Sequence, residues 1–468
     1  MSNNEKFTAF FIFTQWGMFG MKRLRLCVMT WSVLLSSLTA SAADTKLLPA
    51  FPGAEGFGAT TVGGRTGRVI AVTNLNDSGP GSLRQALLEK GPRVVVFRVS
   101  GVVTLRKDIN IEDPFVTIAG QTAPGDGICL RGAGLRVRTH DVVVRYLRIR
   151  VGDDQLGAPP ENRDGIGIGS EQATVHNVVI DHCSISWAID ENVQLWHPCH
   201  DITIQWCIIS ESLERSLHPK GEHGMGLLVG DQAKRISVHH NLFAHNMERN
   251  PLLKGDTETE VVNNVVYNWR KYATGLSDPE GSGPLKASIV SNLYLPGPQT
   301  SGHFGIGFED DLTTGTEVFL RGNIGPKRPT DSADEWAIAA SRAKITCRAE
   351  DPPIPGERIT TAPIKTLRDV VLDEVGATLP QRDSIDQRVV NDTRRGTGKI
   401  INSPLEVSGW PDYLSAEAPT DSDQDGIPDD WEARHRLNSK DRSDNVKLAP
   451  SGYTWLEEYL NGLSAPSR

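Results

Sequence analysis

The chain has 468 residues, enough for one large domain and a small one. Its 45 glycines and 38% apolar content suit many short strands joined by turns better than a helical bundle. A formal charge of -9 argues against a nucleic-acid partner, and any acidic polymer it binds needs a local basic cleft or bridging cations.

Residues 1–43 read as an extension plus a secretory signal peptide. From Met21, the cations Lys22, Arg23 and Arg25 precede an apolar segment, and small residues follow from Ala40 to Ala43. That pattern predicts a secreted or periplasmic protein, and the apolar run is short for a stable membrane span. Beyond Cys27 in this leader, Cys129, Cys183, Cys199, Cys207 and Cys347 show no CxxC spacing, which argues against zinc. Export permits one disulfide.

Next along the chain, Ser82 is placed to N-cap a short helix through Lys90. Leu83, Ala86 and Leu87 give that helix an apolar face able to cap one end of a core. Three segments then superpose: "HDVVVRYLRIR" from His140, "HNVVIDHCSIS" from His176 and "HDITIQWCIIS" from His200. Val142, Val178 and Ile202 share a column, as do Leu147, Cys183 and Cys207. Further copies read "RISVHHNLFAHN", "EVVNNVVYNW" and "ASIVSNLYLPG", with Asn241, Asn264 and Asn292 at similar places. Alternating apolar residues repeated at this period predict stacked coils that share a core. The matched asparagines predict an amide ladder, and Cys183 and Cys207 predict buried free thiols in contact. His182, in a column with Tyr146 and Trp206, reads as structural. The expected fold is all-β: a right-handed single-stranded parallel β-helix over residues 44–325 with a capping helix. A β-sandwich leaves the columns unexplained.

Periodicity fades after residue 325, so 326–415 reads as loops and helices packed on the flank, with a helix from near Thr366. Residues 416–468 read as a small C-terminal appendage, an EF-like calcium loop and a short helix. "DSDQDGIPDDWE" fits D-x-D-x-D-G-x5-E, with Asp421, Asp423, Asp425 and Glu432 as candidate Ca2+ ligands and Gly426 at the sharp turn. It resembles calcium loops of thrombospondin type 3 repeats and dockerins. A single copy does not make the paired loops of a cohesin-binding dockerin.

In order along the chain, "GFGATTVGGRTGRVIAVTNLND", "VVIDHCSISWAIDEN", "HHNLFAHNMERNPLLKG" and "VVNNVVYNW" resemble the pectate lyase family, the family 1 polysaccharide lyases. The likeness covers roughly residues 50–325. It implies Ca2+-dependent β-elimination of polygalacturonate, the acidic polysaccharide of pectin, to unsaturated oligogalacturonides. Asp164 matches the family's first calcium aspartate, and Asp190, with Glu191 a close alternative, matches the second acidic position. Asn162 and Gln194 stand where further acids are common. Arg249 matches the catalytic arginine, and Lys254 matches a second cation, usually arginine, that grips uronate. The inserted loop "ERSLHPKGEHGMG" stands near the family's substrate lysine, leaving Lys220 and His223 as candidate replacements. Arg270 and Lys271 either extend the cleft or are surface charges. A monomer is expected. Competing readings are a glycoside hydrolase, which would draw on Asp153, Asp154, Asp190 and Glu191, a lyase of another uronate polymer, and a non-catalytic polysaccharide-binding solenoid.

Overall fold

The structure is a computed structural model that describes residues 48–230, 232–340, 346–355 and 358–464. The expected leader lies outside the described residues. Three parallel sheets of ten, nine and eight strands run along the chain, and each coil from Arg93 to Phe308 contributes one short strand to each sheet. One coil shows the pattern: Val175–Asp181 in the ten-stranded sheet, Ser184–Ser186 in the eight-stranded sheet, then Glu191–Leu195 in the nine-stranded sheet. The next coil repeats it with Cys199–Gln205, Ile208–Ser210 and Met225–Val229. This is the right-handed parallel β-helix expected from the columns. Val142, Val178, Ile202 and Ile236 pair in register across successive coils.

Alternate residues of every strand face inward, as strand geometry requires. Val178 and Ile180, Ile185, and Val193 and Leu195 supply one layer of a fully buried core that runs the length of the stack. Cys183 and Cys207 lie inside it as neighbouring thiols. The five cysteines among the described residues are free and buried.

The corner between the ten- and eight-stranded sheets explains two of the sequence columns. At this corner Tyr146, His182, Trp206, His240, Asn263 and Ser291 all have φ between 48° and 55°. That left-handed conformation costs roughly 1–2 kcal/mol for an ordinary residue. Aromatic rings offset it by stacking: Tyr146 on His182 at 5.0 Å, His182 on Trp206 at 6.0 Å and Trp206 on His240 at 4.4 Å. His182 therefore belongs to a structural stack. One residue further along, Asn241, Asn264, Asn292 and Asn323 form the amide ladder inside the stack. The side-chain amide of Asn241 donates to Asn264 at 3.0 Å, that of Asn264 to Asn292 at 3.0 Å, and that of Asn292 to Asn323 at 3.0 Å.

Ser82 does cap the first helix, α1 (Leu83–Leu88), its hydroxyl accepting from the Gln85 amide at 3.2 Å. The helix stops two residues short of Lys90 because Glu89 turns to an extended backbone. Leu83, Ala86 and Leu87 plug the end of the core as expected. Beyond residue 325 the nine-stranded sheet gains one more short strand, Ala339–Ala340, which pairs with Phe304–Phe308.

The outer faces of two sheets are covered. Helices α2 (Ile364–Glu374) and α3 (Ser384–Arg395) lie over the eight-stranded sheet, with Leu367, Val371 and Val389 packed on Ile208, Leu242 and Val265. Asp383 caps α3 and also takes the buried Arg150 guanidinium at 2.8 Å, which fastens this flank to the stack. The ten-stranded sheet is covered by Phe51 and Ala59, packed on Val143 and Val179. Ile427, Leu456 and Leu460 cover it further toward the start of the chain, on Val69, Val94 and Val96. The outward row of the nine-stranded sheet runs Arg136, Gly167, Gln194, Leu228, Leu252 and Gly275.

Two outcomes follow from this packing. Asn264→Ala would strand the Asn241 donors and the Val238 carbonyl in the core, so denaturant unfolding is expected to report a loss of about 1–3 kcal/mol; an unchanged midpoint would make the ladder a bystander. Burial pushes the His239 imidazole down to about 3 and that of His240 down to about 4. Both stay neutral when folded, while the unfolded chain takes protons below about 6.5. Their contribution to stability is therefore complete above that pH and lost as pH falls toward 4 and then 3. A thermal-midpoint series across this range should decline, and less steeply in His240→Asn.

Candidate active site

The entrance to the nine-stranded sheet recurs at the same place on each coil, about 4.8 Å from the last. Asp164 and Gly165 precede the strand Ile166–Ile168, and Asp190 precedes Glu191–Leu195. Gly224 precedes Met225–Val229, and Arg249 stands just ahead of Leu252–Leu253. The amide of Gly165 donates to the Glu191 carbonyl at 3.2 Å, and Met225 bridges Glu191 and Glu248. Residues far apart in sequence are thereby set side by side.

Carboxylate oxygens of Asp164, Asp190 and Glu191 all lie within 4.8 Å of one another. Asp164 is fully buried beneath the cleft, where it accepts from the Glu191 amide at 3.1 Å and from the Arg136 guanidinium at 2.5 Å. Burial, with Asp190 beside it, raises the Asp164 carboxyl against the pull of Arg136. Asp190 meets the His223 imidazole at 2.6 Å. Glu191 is ion-paired with Arg249 and lies 3.4 Å from the Gln194 amide. Burial moves the Arg249 guanidinium below its usual value, while Asp190 and Asp164 oppose that shift. The Glu191 contact also favours the charged form.

These groups open onto one cleft of about 940 Å3 on the nine-stranded sheet. Asp190, Glu191, Arg249, Lys254, Lys220 and His223 line it, with Asp164 underneath. Lys254 pairs with Glu280 at 2.6 Å and sits 4.8 Å from the centre of the Trp196 ring. His218 stacks on His223 at 3.9 Å, which steadies the inserted loop against Asp190. Arg270 is held by both carboxylate oxygens of Glu214, at 2.9 and 2.7 Å, and Lys271 faces Glu309. Asp154 is committed to Arg131 at 3.1 Å.

Several lining residues escaped the sequence reading, Arg136 and Trp196 among them. Arg136 sits in the short strand Leu135–Val137, with no motif around it. Its guanidinium lies across Gly167, where a Cβ would meet it at 2.4 Å, and so reaches Asp164 and the Asn162 carbonyl. Trp196 follows Gln194 at the two-residue step that places both outward. That alternation was the available signal.

Arg249 has a left-handed backbone, φ 61°, which takes its side chain out of the regular strand alternation. Gly226 permits this approach: a Cβ there would stand 2.6 Å from the Arg249 carbonyl oxygen and 2.7 Å from Asn250 Oδ1.

A parallel strand solenoid with an acid-and-cation cleft along one sheet suits an enzyme acting on a long polymer, and comparison with known proteins gives the class as polysaccharide lyase. A probable pectate lyase C of Aspergillus terreus (strain NIH 2624 / FGSC A1156) is 36% identical over 452 residues, 93% of this chain and 99% of that protein. The chain belongs to the pectate lyase family. No protein-family model matches it. The fold agrees with that of the major allergen from cedar pollen, at TM-score 0.54 and 18% identity, over 69% of this chain and 92% of that one. It also agrees with a pectate lyase bound to hexasaccharide, at TM-score 0.50 and 15% identity, over 72% and 99% of the respective chains.

Gly226→Ala should displace the Arg249 backbone and lower kcat more than it lowers the thermal midpoint. Steady-state kinetics beside a melting curve separate the two effects.

Proposed function

We propose that this enzyme is a calcium-dependent pectate lyase that cleaves α-1,4-linked polygalacturonate by β-elimination, releasing unsaturated oligogalacturonides. The reading is carried by the meeting of Asp164, Asp190, Glu191 and Arg249 from successive coils at one cleft. The donor set fits a hard divalent cation. Three carboxylates converge there, and burial with mutual repulsion raises one of them, a penalty that a cation relieves. Asp164, Asp190 and Glu191 would hold it, with the neutral oxygens of Asn162 and Gln194 at hand. Calcium bound there makes the C5 proton of a uronate more acidic and balances the charge left behind.

The chain's own residues perform the remaining work. Arg249 takes the C5 proton, the C5–H electron pair forms the C4–C5 double bond, and the bond from C4 to the glycosidic oxygen breaks with its pair on that oxygen, which takes a proton from water. Burial aids this by favouring the neutral guanidine, and Glu191 holds the side chain between turnovers. Lys254 meets a neighbouring uronate carboxylate as a point charge, a looser grip than the two-pronged contact of arginine. Lys220 and His223 supply further polar contacts from the inserted loop, and the Trp196 ring offers a face for a sugar. Asp154 is tied to Arg131, and neither it nor Asp153 is among the residues that line the cleft.

The pattern from Met21 to Ala43 supports export, and among the described residues no helix is long and apolar enough to cross a membrane.

An ultraviolet assay for unsaturated uronide on polygalacturonate, with calcium and with chelator, tests the whole reading. Chelator should abolish turnover and added calcium restore it, while Arg249→Ala should lower kcat by roughly 10^2–10^4-fold. New reducing ends without ultraviolet absorbance, or activity indifferent to chelator, would overturn it.

A further inference from the structure

The C-terminal segment carries a second cluster, on a different sheet from the cleft. Oxygens of Asp421, Asp423 and Asp425 lie within 4.8 Å of one another, and so do those of Asp425, Glu432 and Asp444. Asp425 joins the two groups. Asp444 falls outside the twelve-residue loop read from the sequence. It is returned by the turn after α4 (Asp429–His435), where its other oxygen accepts from the Asn438 amide at 2.9 Å.

What distinguishes this cluster from an ordinary acidic surface is burial without partners. Asp425 and Glu432 are 0% exposed and Asp444 is 3% exposed. Six carboxylate oxygens are buried with no hydrogen-bond donor: both of Asp423, both of Glu432, Asp425 Oδ2 and Asp444 Oδ1. Buried carboxylates normally have donors, and leaving one without them is costly. Asp421 instead accepts from the amides of Asp425 and Gly426, each at 3.2 Å, which closes the turn. Arg98 approaches Asp421 at 3.8 Å. Hard oxygens in two groups that share Asp425, six of them without a donor, match the lower end of the coordination number of Ca2+, and Mg2+ sheds its water too reluctantly to favour such an all-protein cage.

The loop is also anchored. Ile427, the residue after the turn glycine, is fully buried among Val69, Val94, Val96 and Ala119, the first strands of the ten-stranded sheet. A Cβ on Gly426 would come within 3.1 Å of Val69 and 3.2 Å of Leu456. Arg98 donates to the Pro419 carbonyl at 2.5 Å, Asn445 to the Asp425 carbonyl at 2.8 Å, and Arg65 pairs with Glu457 at 2.8 Å.

We propose that Asp421, Asp423, Asp425, Glu432 and Asp444 form a Ca2+ site, separate from the catalytic cleft, that clamps the C-terminal segment over the first coils of the β-helix. Calcium there orders the loop that carries Ile427 and so stabilises the end of the stack that α1 caps. The site is independent of the catalytic reading.

The test uses the full chain and Ca2+ alone. In an Asp164→Asn/Asp190→Asn background, which disables the cleft, calorimetric titration of chelator-stripped protein should still find one Ca2+ equivalent, and calcium should raise the thermal midpoint. Adding Asp425→Asn or Glu432→Gln should abolish that binding and that rise, and Asp444→Asn should weaken binding roughly tenfold or more. Without calcium, Asp425→Asn should melt no lower than its parent, because it removes one of the crowded charges and keeps the oxygen that accepts from the Ile427 amide. No calcium binding in the cleft-disabled parent would overturn the proposal, as would unchanged binding in Asp425→Asn and Glu432→Gln, or an affinity for Mg2+ equal to that for Ca2+. Lower melting of Asp425→Asn with and without calcium alike would overturn it too, by assigning the residue a purely structural role.

Discussion

Parallel hydrogen bonding between successive coils is the constraint on which the rest of this molecule depends. Once Val178 pairs with Val142 on one side and Ile202 on the other, every later residue of those coils has its neighbours fixed until the chain inserts a loop. A corner that works once must then work in every coil. This is why the left-handed residue recurs as Tyr146, His182, Trp206 and His240, and why asparagine recurs beside it from Asn241 to Asn323. Each coil alone could not sustain a left-handed aromatic or a buried amide. Stacked, each amide finds its donor or acceptor one step along, and each ring finds a face.

The same constraint builds the cleft. Asp164, Glu191 and Arg249 are separated by long stretches of sequence, yet their coils enter the nine-stranded sheet at one corner, so their side chains meet. The net charge of -9 then ceases to be an obstacle to an acidic substrate. Arg136, Arg249, Lys220 and Lys254 line one surface, where Arg136 pairs with Asp164, Arg249 with Glu191 and Lys254 with Glu280. A cleft of alternating paired charges has little net field of its own.

Legibility from sequence followed the range of the interactions. The columns through Val142, Val178 and Ile202, the asparagine ladder and the cap at Ser82 are written in local patterns, and the fold matches them. Asp190, Glu191 and Arg249, which meet at the cleft, are legible as candidates because they sit in motifs. Arg136 is not, since its place at Asp164 depends on the bare Cα of Gly167 one coil away. Asp444 was missed for a related reason: it reaches its cluster only after a helix and a turn fold back, and its own surroundings look like an exposed loop. The pairing of His223 with Asp190 is likewise a product of how an insertion lies, which spacing alone does not convey.

The placement of the cleft follows from what covers the other sheets. An outward sheet face made of Val69, Val94, Val96, Val143 and Val179 must be buried, and the chain spends its first turn and its C-terminal segment on it. The face made of Ile208, Leu242 and Val265 takes α2 and α3, locked by Arg150 on Asp383. The third face lacks such a continuous apolar surface, because its outward row holds Arg136, Gly167, Gln194 and Gly275 among two leucines. Polar and glycine residues there neither demand a cover nor repel water, so a long polymer can lie across the coils. Segments that carry no catalytic group thus help to define the site, by burying the two faces on which a polysaccharide would have no polar partner.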